Sequence, residues 1–199
     1  MSQAVSTPSG VVATTTTVSD QLWTVADLEP LPSGRRYELL DGVLYMVAMP
    51  AWPHPAIVDN LHALLRDWVR QHGLGRVLAA QSGLYLNELN YLDPDIVYLR
   101  PEQVPSRRGQ RIKAATLAIE VLSPSNFRAP REEREIRFGQ LGVEELWYVS
   151  YQTRILEIRR LQGQVYETAS LHRGEEVFSP ALFPGLEVPL TEVWERELE

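Results

Sequence analysis

Pro94-Asp95-Ile96-Val97-Tyr98-Leu99 and Thr116-Leu117-Ala118-Ile119-Glu120-Val121-Leu122 are the two stretches that decide how this chain folds. Each is a short run rich in Ile, Val, Tyr and Leu, the composition of a strand. The second is almost continuously apolar, as expected of a strand covered on both faces. A glutamate in the middle of such a strand is costly unless it is paired, and an aspartate opens the first. Two carboxylates on strand-like segments with apolar neighbours read as a pair of oxygen ligands, the donor set of a hard divalent cation.

Working outward, Thr24 is placed to cap a short helix through Val25-Ala26-Asp27-Leu28, which Pro30 and Pro32 end. Arg36 to Leu40 and Val43 to Met49 form a hairpin, because Asp41-Gly42 between them accepts the positive φ of a tight turn. From Pro55 to about His72, the residues Ile57, Leu61, Leu64, Leu65, Trp68 and Val69 recur at the spacing of one helix face, and Gly73 and Gly75 stop the helix. Strands are expected at Arg76 to Ala80 and Gly83 to Leu86, then a turn, then the strand after Asp95. A helix from about Pro130 to Leu141 is followed by strands at Glu145 to Val149, Ile155 to Leu161 and Gln164 to Thr168. A short amphipathic segment, Leu190 to Leu198, closes the chain. This order predicts a mixed α/β fold with a central sheet flanked by helices, in which acids from neighbouring strands converge.

At 199 residues and 44% hydrophobic content, one domain over residues 23–199 is the simplest organisation, preceded by a Ser/Thr-rich leader over residues 1–22 that is too poor in apolar residues to fold alone. The absence of cysteine excludes disulfides and thiolate metal sites. The leader lacks a basic n-region and no run approaches the roughly 18 apolar residues of a membrane span, so a cytoplasmic protein without membrane contact is expected. A formal charge of −7 argues against constitutive, non-specific nucleic-acid binding, which relies on clustered Lys and Arg. It leaves room for a local basic face: Arg107, Arg108, Arg111 and Lys113, the only lysine, form a candidate phosphate-binding loop, although a charge run can equally be a solvated surface. His54, His62, His72 and His172 lack metal-pair spacing and read mostly as surface residues.

Tyr37-Glu38-Leu39-Leu40-Asp41-Gly42, Pro53-His54, Pro94-Asp95-Ile96-Val97, Glu120-Val121-Leu122-Ser123-Pro124-Ser125 and Gly142-Val143-Glu144-Glu145-Leu146-Trp147 follow one another in the order found in the Uma-two family. The chain resembles that family of restriction-endonuclease-like proteins, with the PD-(D/E)XK nuclease fold, over roughly residues 23–170. The resemblance implies a metal-dependent endonuclease, a hydrolase of phosphodiester bonds, acting on nucleic acid with DNA foremost. By similarity Asp95 and Glu120 hold Mg²⁺, or Mn²⁺ in its place, together with the Val121 carbonyl. Glu38 is either a third acid of the site or an exposed hairpin residue. His54 either contacts substrate or caps the long helix. A homodimer is compatible with the aromatic content without being established.

The chain also departs from the pattern. The broader nuclease motif has a lysine two residues after the second acid, where Leu122 stands, and the family resemblance moves that positive group to Arg134, ahead of Phe138. Ser150 stands where an acid is usual after the tryptophan strand. An arginine can supply charge to a transition state, but it cannot give up its proton. Arg134 therefore has two readings, an electrostatic stabiliser or a structural partner of Glu120 or Glu133. Two functions follow: a Mg²⁺-dependent phosphodiesterase, or an inactive nuclease-fold binding or assembly module. Arg134 pointing into the cleft with both acids would indicate an assembled site, whereas Arg134 in solvent would deprive catalysis of its positive group.

Overall fold

The computed structural model describes residues 22–32, 34–47, 51–79, 82–123 and 129–194. The expected leader, the ends of the strands at Met49 and Ala80, and the last residues of the C-terminal segment lie outside them.

The chain enters through a 3-10 turn at Val25–Leu28, closed by a box in which the Thr24 amide and hydroxyl both donate to Asp27 Oδ2, at 2.8 and 2.7 Å. Strands β1 (Arg36–Leu40) and β2 (Val43–Val47) then pair across Asp41 and Gly42, whose φ of 49° and 76° are those of a tight hairpin turn. Helix α1 (His54–Gln71) follows, burying Ile57, Leu61, Leu65 and Val69 along one stripe. Strands β3 (Arg76–Ala79), β4 (Leu84–Asn87), β5 (Asn90–Leu92), β6 (Ile96–Leu99) and β7 (Leu117–Leu122) lead to helix α2 (Arg131–Gln140). Strands β8 (Glu145–Ser150), β9 (Ile155–Gln162) and β10 (Val165–Arg173), a two-residue pair β11 (Val177–Phe178) and β12 (Val188–Pro189), and helix α3 (Leu190–Val193) complete the order.

The central sheet has six strands in the order β10-β9-β8-β7-β6-β3. It is antiparallel except for β7 and β8, which run parallel with α2 as their crossover. A separate four-stranded sheet, β2-β1-β5-β4, carries the hairpin. Alternation along the strands sends Ile96, Tyr98, Leu117, Ile119, Val121 and Trp147 to one face, against α1, α3 and Phe183. Val97, Leu99, Ala118, Leu146 and Tyr148 go to the other, against Phe138 of α2 and Leu40, Leu84 and Leu92 of the small sheet. Residues Leu117 to Val121 are all buried, as the apolar run requires.

Three details correct the sequence expectation. The stretch read as a turn before Asp95 contains β5, a three-residue strand that pairs with both β1 and β4 and so joins the hairpin to β4 in one sheet. The last strand extends to Arg173, because its polar alternation continues past Thr168 around a bulge. Strands β11 and β12 are too short to leave a periodic trace. No helix among the described residues is long and apolar enough to cross a membrane.

Candidate active site

Strand parity puts the acids together. Asp95 immediately precedes β6 and shares the parity of Val97 and Leu99, while Glu120 shares that of Ala118. Both therefore face α2 and the small sheet. The β6–β7 register pairs Ile96 with Ile119, and the Asp95 amide donates to the Ile119 carbonyl at 3.1 Å, which sets Asp95 beside Glu120 across the ladder. Glu38 reaches the same space from β1, on the face it shares with Leu40. Exposure is 1% for Asp95, 1% for Glu120 and 0% for Glu38.

Arg134 arrives from the first turn and a half of α2, buried by the packing of Phe138 one turn further on. Its Nη2 donates to Glu38 Oε1 at 2.8 Å and also to Glu120 Oε1. The guanidinium points into the acid cluster. Glu38 Oε1 accepts a second bond, from the Asp93 amide at 3.1 Å, whereas Glu38 Oε2 and Arg134 Nε are buried without a hydrogen-bond partner. Asp95 Oδ2 accepts the Val121 amide at 2.9 Å and lies 3.3 Å from His54 Nε2. The Nδ1 of His54 is buried without a partner.

The reading of Glu38 as an exposed hairpin residue and of His54 as a surface histidine is thus overturned. Both are buried, because α1 and β1 close over the end of β6 rather than leaving it open. His54 opens α1, yet its ring turns to Asp95 instead of capping the helix backbone. Arg36 and Asp93, which the sequence reading did not single out, belong to the same cluster. Arg36 Nε donates to Asp93 Oδ2 at 2.6 Å, its Nη1 to Asp95 Oδ1 at 2.7 Å, and its Nη2 to the Asp93 carbonyl. Burial works against the Arg36 charge, but the Asp93 and Asp95 carboxylates outweigh it and hold the pKa above its ordinary value. A signal was present: Arg36 lies two residues before Glu38 on β1 and so shares its face, and Asp93 lies two residues before Asp95 in the segment between β5 and β6.

The basic loop separates into two parts. Arg107 and Arg108 stand exposed on a turn, while Arg111 and Lys113, also exposed, flank the Tyr85 ring at 4.6 and 5.5 Å. From the second part, Arg111 reaches the neighbourhood of the cluster. Arg111 lines a cleft of about 430 Å³ together with Arg35, Arg36, Tyr91, Asp93 and Gln110.

The donors suit a hard cation: they are carboxylate oxygens, and one of them, Glu38 Oε2, is buried and unbonded. Among the described residues, no three His, Asp or Glu side chains form a ready metal cage, because guanidiniums stand against the acids: Arg134 on Glu38 and Glu120, Arg36 on Asp95. The Val121 amide, rather than its carbonyl, is the backbone group that touches Asp95.

The family description "Uma2: putative restriction endonuclease" matches residues 25–191 of this chain. The fold is similar to a crystal structure of a putative nuclease belonging to DUF820 from Anabaena variabilis, with a TM-score of 0.70 at 17% identity, over 86% of this chain and 97% of that one. No curated protein sequence matches the chain.

Proposed function

This chain belongs to the Uma2 family of restriction-endonuclease-like proteins, and from that premise we propose that it is a metal-dependent phosphodiesterase that cleaves DNA at the cluster of Glu38, Asp95, Glu120 and Arg134. The observation that carries this reading is the convergence of three carboxylates and one guanidinium from four different elements at a single buried point. A purely structural ion pair needs two groups rather than four.

In this reading Asp95 and Glu120 hold Mg²⁺ or Mn²⁺ with the Val121 carbonyl, and Glu38 adds a third oxygen donor. The ion supplies Lewis acidity at the phosphate and an acidified water. Arg134 stays charged throughout and faces the phosphate oxygens as their charge grows, in the place a lysine takes in related sites. It cannot act as a base. His54 holds Asp95 through Nε2 and keeps Nδ1 for a water or a substrate oxygen. Arg36 fixes the orientation of Asp95 and Asp93. Arg107, Arg108, Arg111 and Lys113 meet the flanking backbone.

Cleavage of DNA in Mg²⁺ or Mn²⁺, offered both as supercoiled plasmid and as a single-stranded circle, tests the proposal. Activity should vanish in Asp95→Asn and Glu120→Gln, whose circular dichroism should match the unsubstituted protein. A second reading, an inactive nuclease-fold binding or assembly module, is favoured by Arg134 lying against both Glu38 and Glu120. Absence of cleavage with every divalent ion, alongside a cooperative melt and no calorimetric Mg²⁺ binding, would select it.

A further inference from the structure

The cleft beside the acids is built for more than a phosphate. It shares Arg36 and Asp93 with the cluster and adds two cations, Arg35 and Arg111, at its walls. Its volume of about 430 Å³ falls within the range, roughly 300–1,000 Å³, of pockets that enclose a small organic ligand. Tyr91 forms one wall, and its ring is admitted only because residue 83 is glycine: a Cβ there would stand 1.8 Å from the Tyr91 hydroxyl oxygen. Burial, then the nearby Asp93 carboxylate, push the Tyr91 hydroxyl up to about 12, so it remains a donor at neutral pH.

Two large apolar side chains are exposed within two residues, along the chain, of groups that contact Asp95. Trp52 is 64% exposed, two residues before His54, and Leu122 is 41% exposed, directly after Val121. His54 and Val121 both contact Asp95. An exposed indole two residues from the acid-contacting His54, with a cleft walled by Arg35, Arg36 and Arg111 against Glu29 and Asp93, supplies the two elements by which proteins hold unstacked bases, a ring face and cations.

We propose that the site takes a single strand of nucleic acid: one unpaired nucleotide occupies the cleft, its phosphate lies against Arg35 and Arg111, and a neighbouring base stacks on Trp52. This rests on the nuclease reading above and narrows its substrate. The burial of Asp95 and Glu120 supports it, since a duplex keeps its bases stacked inside a broad, stiff rod. Such a rod neither enters a cleft of this size nor offers a base face to Trp52. The cations and rings would grip either sugar type.

Anisotropy titrations of the full chain with fluorescein-labelled oligothymidylate, oligouridylate and an equal-length duplex, all in EDTA, test binding without cleavage. One or both single strands should bind at least about tenfold more tightly than the duplex. Arg35→Ala and Arg111→Ala should each flatten the slope of log affinity against log salt by about 0.7 for the single strand, and Arg111→Lys should retain it. Trp52→Ala should weaken single-strand binding by about fivefold or more. These side chains are at the surface or the cleft wall, and a thermal melt confirms that each variant folds. Equal or tighter duplex binding, no measurable single-strand binding, or unchanged slopes in both arginine variants would overturn the proposal. Because no metal is present, failure of plasmid nicking leaves this outcome independent.

Discussion

At the residue scale, Arg134 decides what the cluster can do. It is buried between Glu38 and Glu120, themselves buried, so removing it leaves two carboxylates facing each other without that cation. Breaking a buried pair in this way costs about 3–5 kcal/mol. Arg134→Met is therefore expected to lose that much stability in urea denaturation at neutral pH, and added Mg²⁺ should recover part of the loss by taking the place of the guanidinium. A loss below about 1 kcal/mol would mean that the three groups are not coupled in solution. Asp95, Glu120 and Arg134 were legible in the sequence because each sits in a motif whose spacing survives in one dimension. Arg36, Asp93 and the buried state of His54 were not, because they depend on which strand faces which helix.

At the element scale, helix α2 is tied to the small sheet at a buried asparagine as well as through Arg134 and Glu38. Asn90, on the short strand β5, accepts from the Asp41 amide at 3.0 Å and from Arg137 Nε at 2.9 Å, and Arg137 also meets the Asp41 carboxylate. Arg137 lies one turn after Arg134, so this tie fixes the helix that carries Arg134 into the acid cluster. Asn90→Ala would strand the Asp41 amide, at about 1–3 kcal/mol. The expected result is a lower urea midpoint together with faster amide exchange in β1, β5 and α2. A change confined to β5 would show that the tie does not reach the helix. Sequence legibility follows the same division. Helix α1 and the Asp41-Gly42 hairpin declare themselves through periodicity and turn chemistry, whereas β5 is only Asn90-Tyr91-Leu92, opened by an asparagine and followed by Asp93, and acquires its strand conformation from β1 and β4. Long-range pairing supplies what local pattern lacks.

At the scale of the whole molecule, the two layers packed on opposite faces of the central sheet meet at the end of β6 and β7 that carries Asp95 and Glu120, where His54 of α1 reaches Asp95, and the α2 side carries phenols as well as acids. Burial raises the pKa of Tyr148 and Tyr166, and burial followed by Asp93 brings Tyr91 to about 12. A phenol with a raised folded pKa disfavours the charged form in the native state. Its stabilising contribution is complete below the unfolded pKa near 10 and is lost as pH climbs through the folded value. For Tyr91 alone the shift of about two units corresponds to roughly 2–3 kcal/mol. The protein should therefore hold its urea midpoint to about pH 9 and lose it steeply between about pH 10 and 12, with the share of tyrosinate absorbance that comes from these buried phenols appearing in step with unfolding rather than before it. Tyr91→Phe removes one of the phenols and should shift the alkaline limb upward while leaving the neutral fold intact. An unchanged limb would mean that the ring is solvated in the folded state. The same variant then bears on the cleft, because the ring whose burial raises its hydroxyl is also the wall against which a nucleotide would rest.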